Sequence, residues 1–71
     1  MKAIKSNMAG SVWKILVSVG DEVNIGQEVI ILESMKMEIP IVSEEKGVVD
    51  DIVVNEGAFV DEDVVLVRLK G

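Results

Sequence analysis

The chain nearly repeats itself. Sliding residues 10–34 onto 47–71, a constant offset of 37, places Gly10 on Gly47, Val12 on Val49, Ile15 on Ile52 and Val17 on Val54; it also places Gly20 on Gly57, Val23 on Val60 and Leu32 on Leu69. When glycines and apolar positions recur together in register, both copies are committed to the same local structure. Each copy reads as strand, turn, short apolar contact, turn and strand. The simplest arrangement is all-β, a flattened barrel or sandwich of two similar antiparallel sheets related by a pseudo-twofold axis.

The composition supplies the material for such a fold. Apolar residues make up 49% of the 71, yet only 3% are aromatic, so the core must come mainly from the fourteen valines and eight isoleucines. These β-branched residues favour strands. A chain this short forms one small domain, residues 1–71, with no room for a second unit.

In chain order, residues 2–6 read as a short strand whose Lys2 and Lys5 suit an exposed edge. That strand would complete one of the two sheets. Residues 11–19 follow as a longer strand with a mixed pattern that contacts two layers. Gly20-Asp21-Glu22 and Asn24-Ile25-Gly26-Gln27 are turns separated by Val23. Val29 to Leu32 and Ile39 to Val42 are two further strands, and Pro40, which lacks an N–H, places the second at an edge or turns that position away from the ladder. Ser43 to Gly47 is a charged loop. Val48 to Val54 and Val64 to Leu69 are the last long strands, with turns and Val60 between them.

Several function classes fall away at this level. Without cysteine there is neither a disulfide framework nor a thiolate metal site, and without histidine the commonest metal ligand and general base is missing. The formal charge of −6 and a pI near 4.4 argue against a nucleic-acid partner, which needs a basic face. No apolar run reaches the roughly 18 residues of a membrane span, and Met1 to Ser6 lacks the apolar core of a signal peptide. The expected location is the cytoplasm.

Glu33-Ser34-Met35-Lys36-Met37-Glu38 lies between two strands and must turn. With Met35 and Lys36 at its centre, register pairs Ser34 with Met37, Glu33 with Glu38 and Leu32 with Ile39, and Lys36 points off the tip. Two-residue hairpins favour primed turns, whose central residues need positive φ and usually include glycine. Met-Lys is the wrong chemistry for such a turn, at a cost of about 1 to 2 kcal/mol for a non-glycine residue in the left-handed region. Local rules broken in this way mark functional sites.

This stretch resembles the attachment motif of the biotinyl/lipoyl carrier domains. In the biotinyl branch a lysine sits between two methionines, as Lys36 does between Met35 and Met37; the lipoyl branch usually has an acidic residue before the lysine and a small one after it. The similarity runs from Met8-Ala9-Gly10 through Gly20-Asp21-Glu22-Val23 and Gly26-Gln27 to the last strand. It implies a barrel-sandwich hybrid fold and a biotin carboxyl carrier, monomeric as an isolated domain and not itself catalytic. By the same resemblance, a biotin protein ligase attaches biotin covalently to Lys36. Biotin carboxylase and carboxyltransferase subunits are then the partners, the first carboxylating the cofactor from bicarbonate and ATP and the second moving the carboxyl group to an acceptor. Lysine amines are mostly protonated at neutral pH, so deprotonation is the ligase's task.

The alternatives are a lipoyl carrier, with lipoate on the same lysine in a 2-oxo-acid dehydrogenase-type complex, and a small β interaction module whose hairpin lysine stays unmodified. Met35 and Met37 have two readings as well. At least one is expected to fold back over the end of the sandwich, while soft unbranched side chains also adapt to more than one partner surface near a cofactor. Glu33 and Glu38, like charges opposite one another, are mildly unfavourable. Trp13 reads as core or as a partly covered surface anchor. Asp50-Asp51 and Glu44-Glu45 read as solvated pairs. Asp63 stands where the first copy has Gly26, and Asp tolerates left-handed geometry better than most residues.

Overall fold

The computed structural model describes residues 2–70, and its eight strands are β1 (Lys2–Lys5), β2 (Gly10–Ile15), β3 (Glu22–Val23), β4 (Glu28–Ser34), β5 (Met37–Val42), β6 (Gly47–Ile52), β7 (Phe59–Val60) and β8 (Val65–Lys70). They form two four-stranded antiparallel sheets, ordered β1-β8-β6-β3 and β5-β4-β2-β7. Read position by position, each strand of the second sheet has its counterpart in the first 37 residues away, earlier for β5 and β7 and later for β4 and β2. β1 completes the first sheet at its edge, and Pro40 lies on β5, an edge strand of the second, where a missing N–H costs little.

The repeat is kept down to individual bonds and irregularities. The Gly20 N–H donates to the Val49 carbonyl at 2.9 Å, and the Gly57 N–H donates to the Val12 carbonyl at 2.7 Å. A β-bulge between Val12 and Lys14 has its counterpart between Val49 and Asp51. Gly20 and Gly57 have φ of 95° and 92°, and Gly26 with φ of 84° is matched by Asp63 at 65°. The pseudo-symmetry also extends beyond the stretch visible in the sequence. The pair Leu32 and Ile39 at the hairpin corresponds to the pair Leu69 and Lys2, where the first and last strands meet.

Neither sheet belongs to one copy. β3 leaves its own half to pair with β6, and β7 pairs with β2. The copies therefore interlock, and the space between the sheets is filled from both: Val29 and Leu66, Ile30 and Val67, and Leu32 and Leu69 are equivalent positions that are all fully buried. Burying an aliphatic side chain of this size stabilises by about 1.5 to 3 kcal/mol. Buried Ser6 and Ser43 are also equivalent; the Val64 N–H donates to Ser6 Oγ and the Glu45 N–H donates to Ser43 Oγ.

Three expectations are corrected. The strand expected over 11–19 ends at Ile15, and the one expected over 48–54 ends at Ile52. The cause is local. Asp21 Oδ2 accepts from the Ser18 N–H at 2.8 Å, and the Ser18 carbonyl accepts from the Asp21 N–H at 3.0 Å, so the backbone is drawn into a turn although Val17 and Val19 favour extension. Ile15 and Ile52, matched by the repeat, are only partly buried and pack against the core from outside it. The first strand stops at Lys5 because Ser6 turns inward, where its hydroxyl donates to the Asp61 carbonyl at 2.6 Å.

Candidate functional site

The hairpin begins with β4 and β5. Val29, Ile30 and Leu32 are buried, and Ile31 and Glu33 face outward. A one-residue slip would turn the buried set to solvent, so the register is strongly fixed. It pairs Leu32 with Ile39, Glu33 with Glu38 and Ser34 with Met37, as read from the sequence. Met35 and Lys36 alone make the turn, with φ of 52° and 64°. Positive φ at both central residues is the signature of the type I′ turn, whose twist matches that of the flanking strands.

Gly10 supports this hairpin from beneath. A Cβ placed on it would lie 2.9 Å from the Glu33 carbonyl oxygen, closer than real Cβ atoms come, so only glycine lets β2 and β4 approach here. The equality of Gly10 and Gly47 in the repeat was the available signal, since a Cβ on Gly47 meets the Lys70 carbonyl at the same 2.9 Å.

Lys36 is exposed, and among the described residues it has no ion-pair partner. The methionines beside it are exposed too, Met35 at 92% and Met37 at 63%. The expectation that one of them folds back over the sandwich is therefore wrong. The turn stands beyond the last buried layer at Leu32, and neither side chain has an apolar surface to return to. An open recess bordered by Lys2, Lys5, Pro40, Glu44 and Glu62 lies between the edge strands β1 and β5 and does not include Lys36, Met35 or Met37.

Three of the four carboxylates read as solvated pairs sit beside a surface cation. Asp51 lies 3.5 Å from Arg68, Asp50 lies 3.8 Å from Lys70, and Glu45 lies 3.9 Å from Lys2, all near the surface, where such pairs contribute little. Trp13 is 40% exposed on the β2 bulge with the Lys14 ammonium 5.0 Å from its ring centre, so it is a surface residue. Phe59, 68% exposed and opposite Ser11, has no distinguishing sequence signal beyond being one of two aromatics. The site thus presents one primary amine on a tight, outward-directed turn between two thioethers. Such an amine is open to acylation from outside the chain.

Two interlocked sheets with an exposed lysine at a two-residue hairpin define a small all-β domain that presents an amine to its surroundings. The family model described as "Biotin-requiring enzyme", the biotin/lipoyl model, matches residues 2–69, and the chain belongs to that family. It is 52% identical over 66 residues to the biotin/lipoyl attachment protein of Bacillus subtilis (strain 168), with 93% of this chain and 90% of that protein covered. It is 46% identical over 54 residues to the biotin carboxyl carrier protein of Streptococcus mutans, with 76% of this chain and 42% of that one covered. The crystal structure of Kluyveromyces lactis urea carboxylase contains a similar domain, with a TM-score of 0.90 and 30% identity over 97% of this chain, which spans only 6% of that enzyme.

Proposed function

We propose that the protein is a biotin carboxyl carrier in which Lys36 holds biotin through an amide and moves it between a biotin carboxylase and a carboxyltransferase. The observation that carries this reading is the exposed Lys36 between exposed Met35 and Met37 on a positive-φ turn. Covalent attachment needs an accessible amine, and the tip offers one. When bound, the cofactor supplies a ring nitrogen that accepts and releases a carboxyl group.

The chain's own residues hold that chemistry in place without performing it. The type I′ turn directs the lysine away from the sheets, and Leu32 and Ile30 anchor the strands beneath it. A catalytic subunit then meets a tethered cofactor at high effective concentration. The Met35 and Met37 thioethers beside the amine give it an adaptable apolar border, suited to a tip that enters more than one partner. Support comes from the carboxyl carrier and urea carboxylase likenesses. The name of the Bacillus relative, which includes lipoyl, keeps a lipoyl carrier as the second reading.

The test is incubation of the full chain with ATP, biotin and a biotin ligase, beside a parallel reaction with lipoate and a lipoyl ligase, followed by peptide mass mapping. Biotin on Lys36, and on no other lysine, is expected. Efficient lipoylation without biotinylation would transfer the protein to the lipoyl class, and no modification in either reaction would leave an interaction module. Catalytic subunits that co-purify with the biotinylated form identify the carboxylase it serves.

A further inference from the structure

The pseudo-twofold repeat supplies its own control for every surface position, because the fold builds each one twice. On the outward side of the first sheet, Glu22 faces Val48, and Asp50 and Asp51 occupy the bulge opposite Arg68. That side closes on itself with the ion pairs Arg68–Asp51 and Lys70–Asp50. At the matching places on the second sheet stand Phe59 facing Ser11, and Trp13 and Lys14 at the bulge opposite Ile31. Folding accepts carboxylates at these places, so it does not require aromatics there.

The chain has just two aromatic residues, and both lie exposed on this one side. Phe59 belongs to the cross-strand row that runs through Ser11 and Glu33 to Glu38, two residues below the turn that carries Lys36. The border toward the hairpin is acidic, with Glu33 and Glu38 exposed, and Glu56 adds a further carboxylate near Ile15, whose N–H it accepts at 3.1 Å. Exposed aromatics inside a charged rim are the composition of binding hot spots.

We propose that the outward side of the second sheet, anchored by Phe59 and Trp13, docks the ligase that acylates Lys36, through an apolar pocket on that enzyme rimmed by lysine and arginine. This rests on the biotin-carrier reading. Charge complementarity sets the rim, and continuity sets the occupant. An unmodified lysine is short, so the enzyme that acylates it must bring its own surface against the turn and the strands below.

Phe59→Glu and Trp13→Asp install the residues that the fold already carries at the equivalent positions Glu22 and Asp50, and Glu22→Ala is the matched control on the other sheet. The measurement is the rate of biotin transfer by the ligase that labels the wild-type chain, against carrier concentration, with thermal melts of each variant. KM for Phe59→Glu and Trp13→Asp should rise about tenfold or more, as loss of an aromatic hot spot implies, with kcat within about twofold and Glu22→Ala unchanged. A second arm uses protein shown by its melt to be folded: Lys36→Arg should inhibit labelling of the wild type, and Lys36→Arg with Phe59→Ser should inhibit about tenfold less well. KM values within twofold of wild type, or equal inhibition by the two competitors, would overturn the docking surface while wild-type labelling left the carrier reading intact. Failure of the wild type to be labelled at all would instead overturn the carrier reading itself.

Discussion

Gly10 passes so close beneath Glu33 that a Cβ added to it would sit 2.9 Å from the Glu33 carbonyl oxygen, and Gly47 stands in the same relation to Lys70. The pair permits a matched experiment. Gly10→Ala and Gly47→Ala impose the same steric load, at an expected cost of about 1 to 3 kcal/mol each. Only the first displaces the strand leading into the Lys36 turn. Urea melts should therefore report similar losses, while biotin transfer to folded protein should fall for Gly10→Ala and hold for Gly47→Ala. Equal transfer by the two variants would show that the turn tolerates movement of its base.

Position on the turn should matter as much as chemistry. Lys36→Arg keeps the charge, but a guanidinium stays protonated and is not acylated in the same way; it should fold normally and remain unmodified. Met35→Lys combined with Lys36→Met moves the amine to the other central residue and changes its direction. Mass mapping after ligase treatment should find little biotin on this double variant, and none on Lys2, Lys5, Lys14, Lys46 or Lys70. Efficient labelling of the shifted lysine would refute recognition by geometry.

The turn carries a cost that glycine would remove. Met35 has φ of 52°, and relief of left-handed strain contributes about 1 to 2 kcal/mol, less about 0.5 to 1 kcal/mol for glycine's greater freedom in the unfolded chain. Met35→Gly should raise stability by about 0.5 to 1 kcal/mol. Asp63→Gly, at φ of 65°, should gain less, since Asp already tolerates this region. Denaturant midpoints would check both. A clear loss at Met35 would mean that its side chain supports the hairpin despite its exposure.

Packing gives the repeat an energetic test. Leu32 and Leu69 are equivalent and fully buried, so truncating either to alanine should cost about 2 to 5 kcal/mol. Ile15→Ala and Ile52→Ala, at partly buried positions, should cost less than either leucine. Unequal leucine losses, read from denaturant melts, would show that the two halves are not energetically equivalent.

These comparisons also mark what the sequence could disclose. The hairpin register was legible because alternation has a period of two, and Leu32 and Ile39 can share one face in only one pairing. The positive φ at Met35 and Lys36 followed from the loop length, and that at Asp63 from its match with Gly26. The end of β2 was not legible, because residues such as Val17 and Val19 favour extension and give no sign that Asp21 captures the backbone of Ser18. The exchange of β3 and β7 between sheets was hidden because two residues carry no periodicity. The exposure of Met35 and Met37 was hidden for another reason: hydrophobicity gives a side chain's preference, whereas the reach of the hairpin past Leu32 decides whether any surface is there to satisfy it.

The lending of β3 and β7 across the two halves has a consequence for the population of molecules. Neither half can come loose and leave the other standing, since each sheet loses strands when either half departs. Melting is then all-or-none, as small domains usually show, and a solution of this protein holds intact molecules and unravelled ones with few frayed forms between. On the proposed function, a ligase in that solution would meet Lys36 either on its proper turn or on a loose chain that lacks the turn altogether. Quality control is thereby delegated to topology.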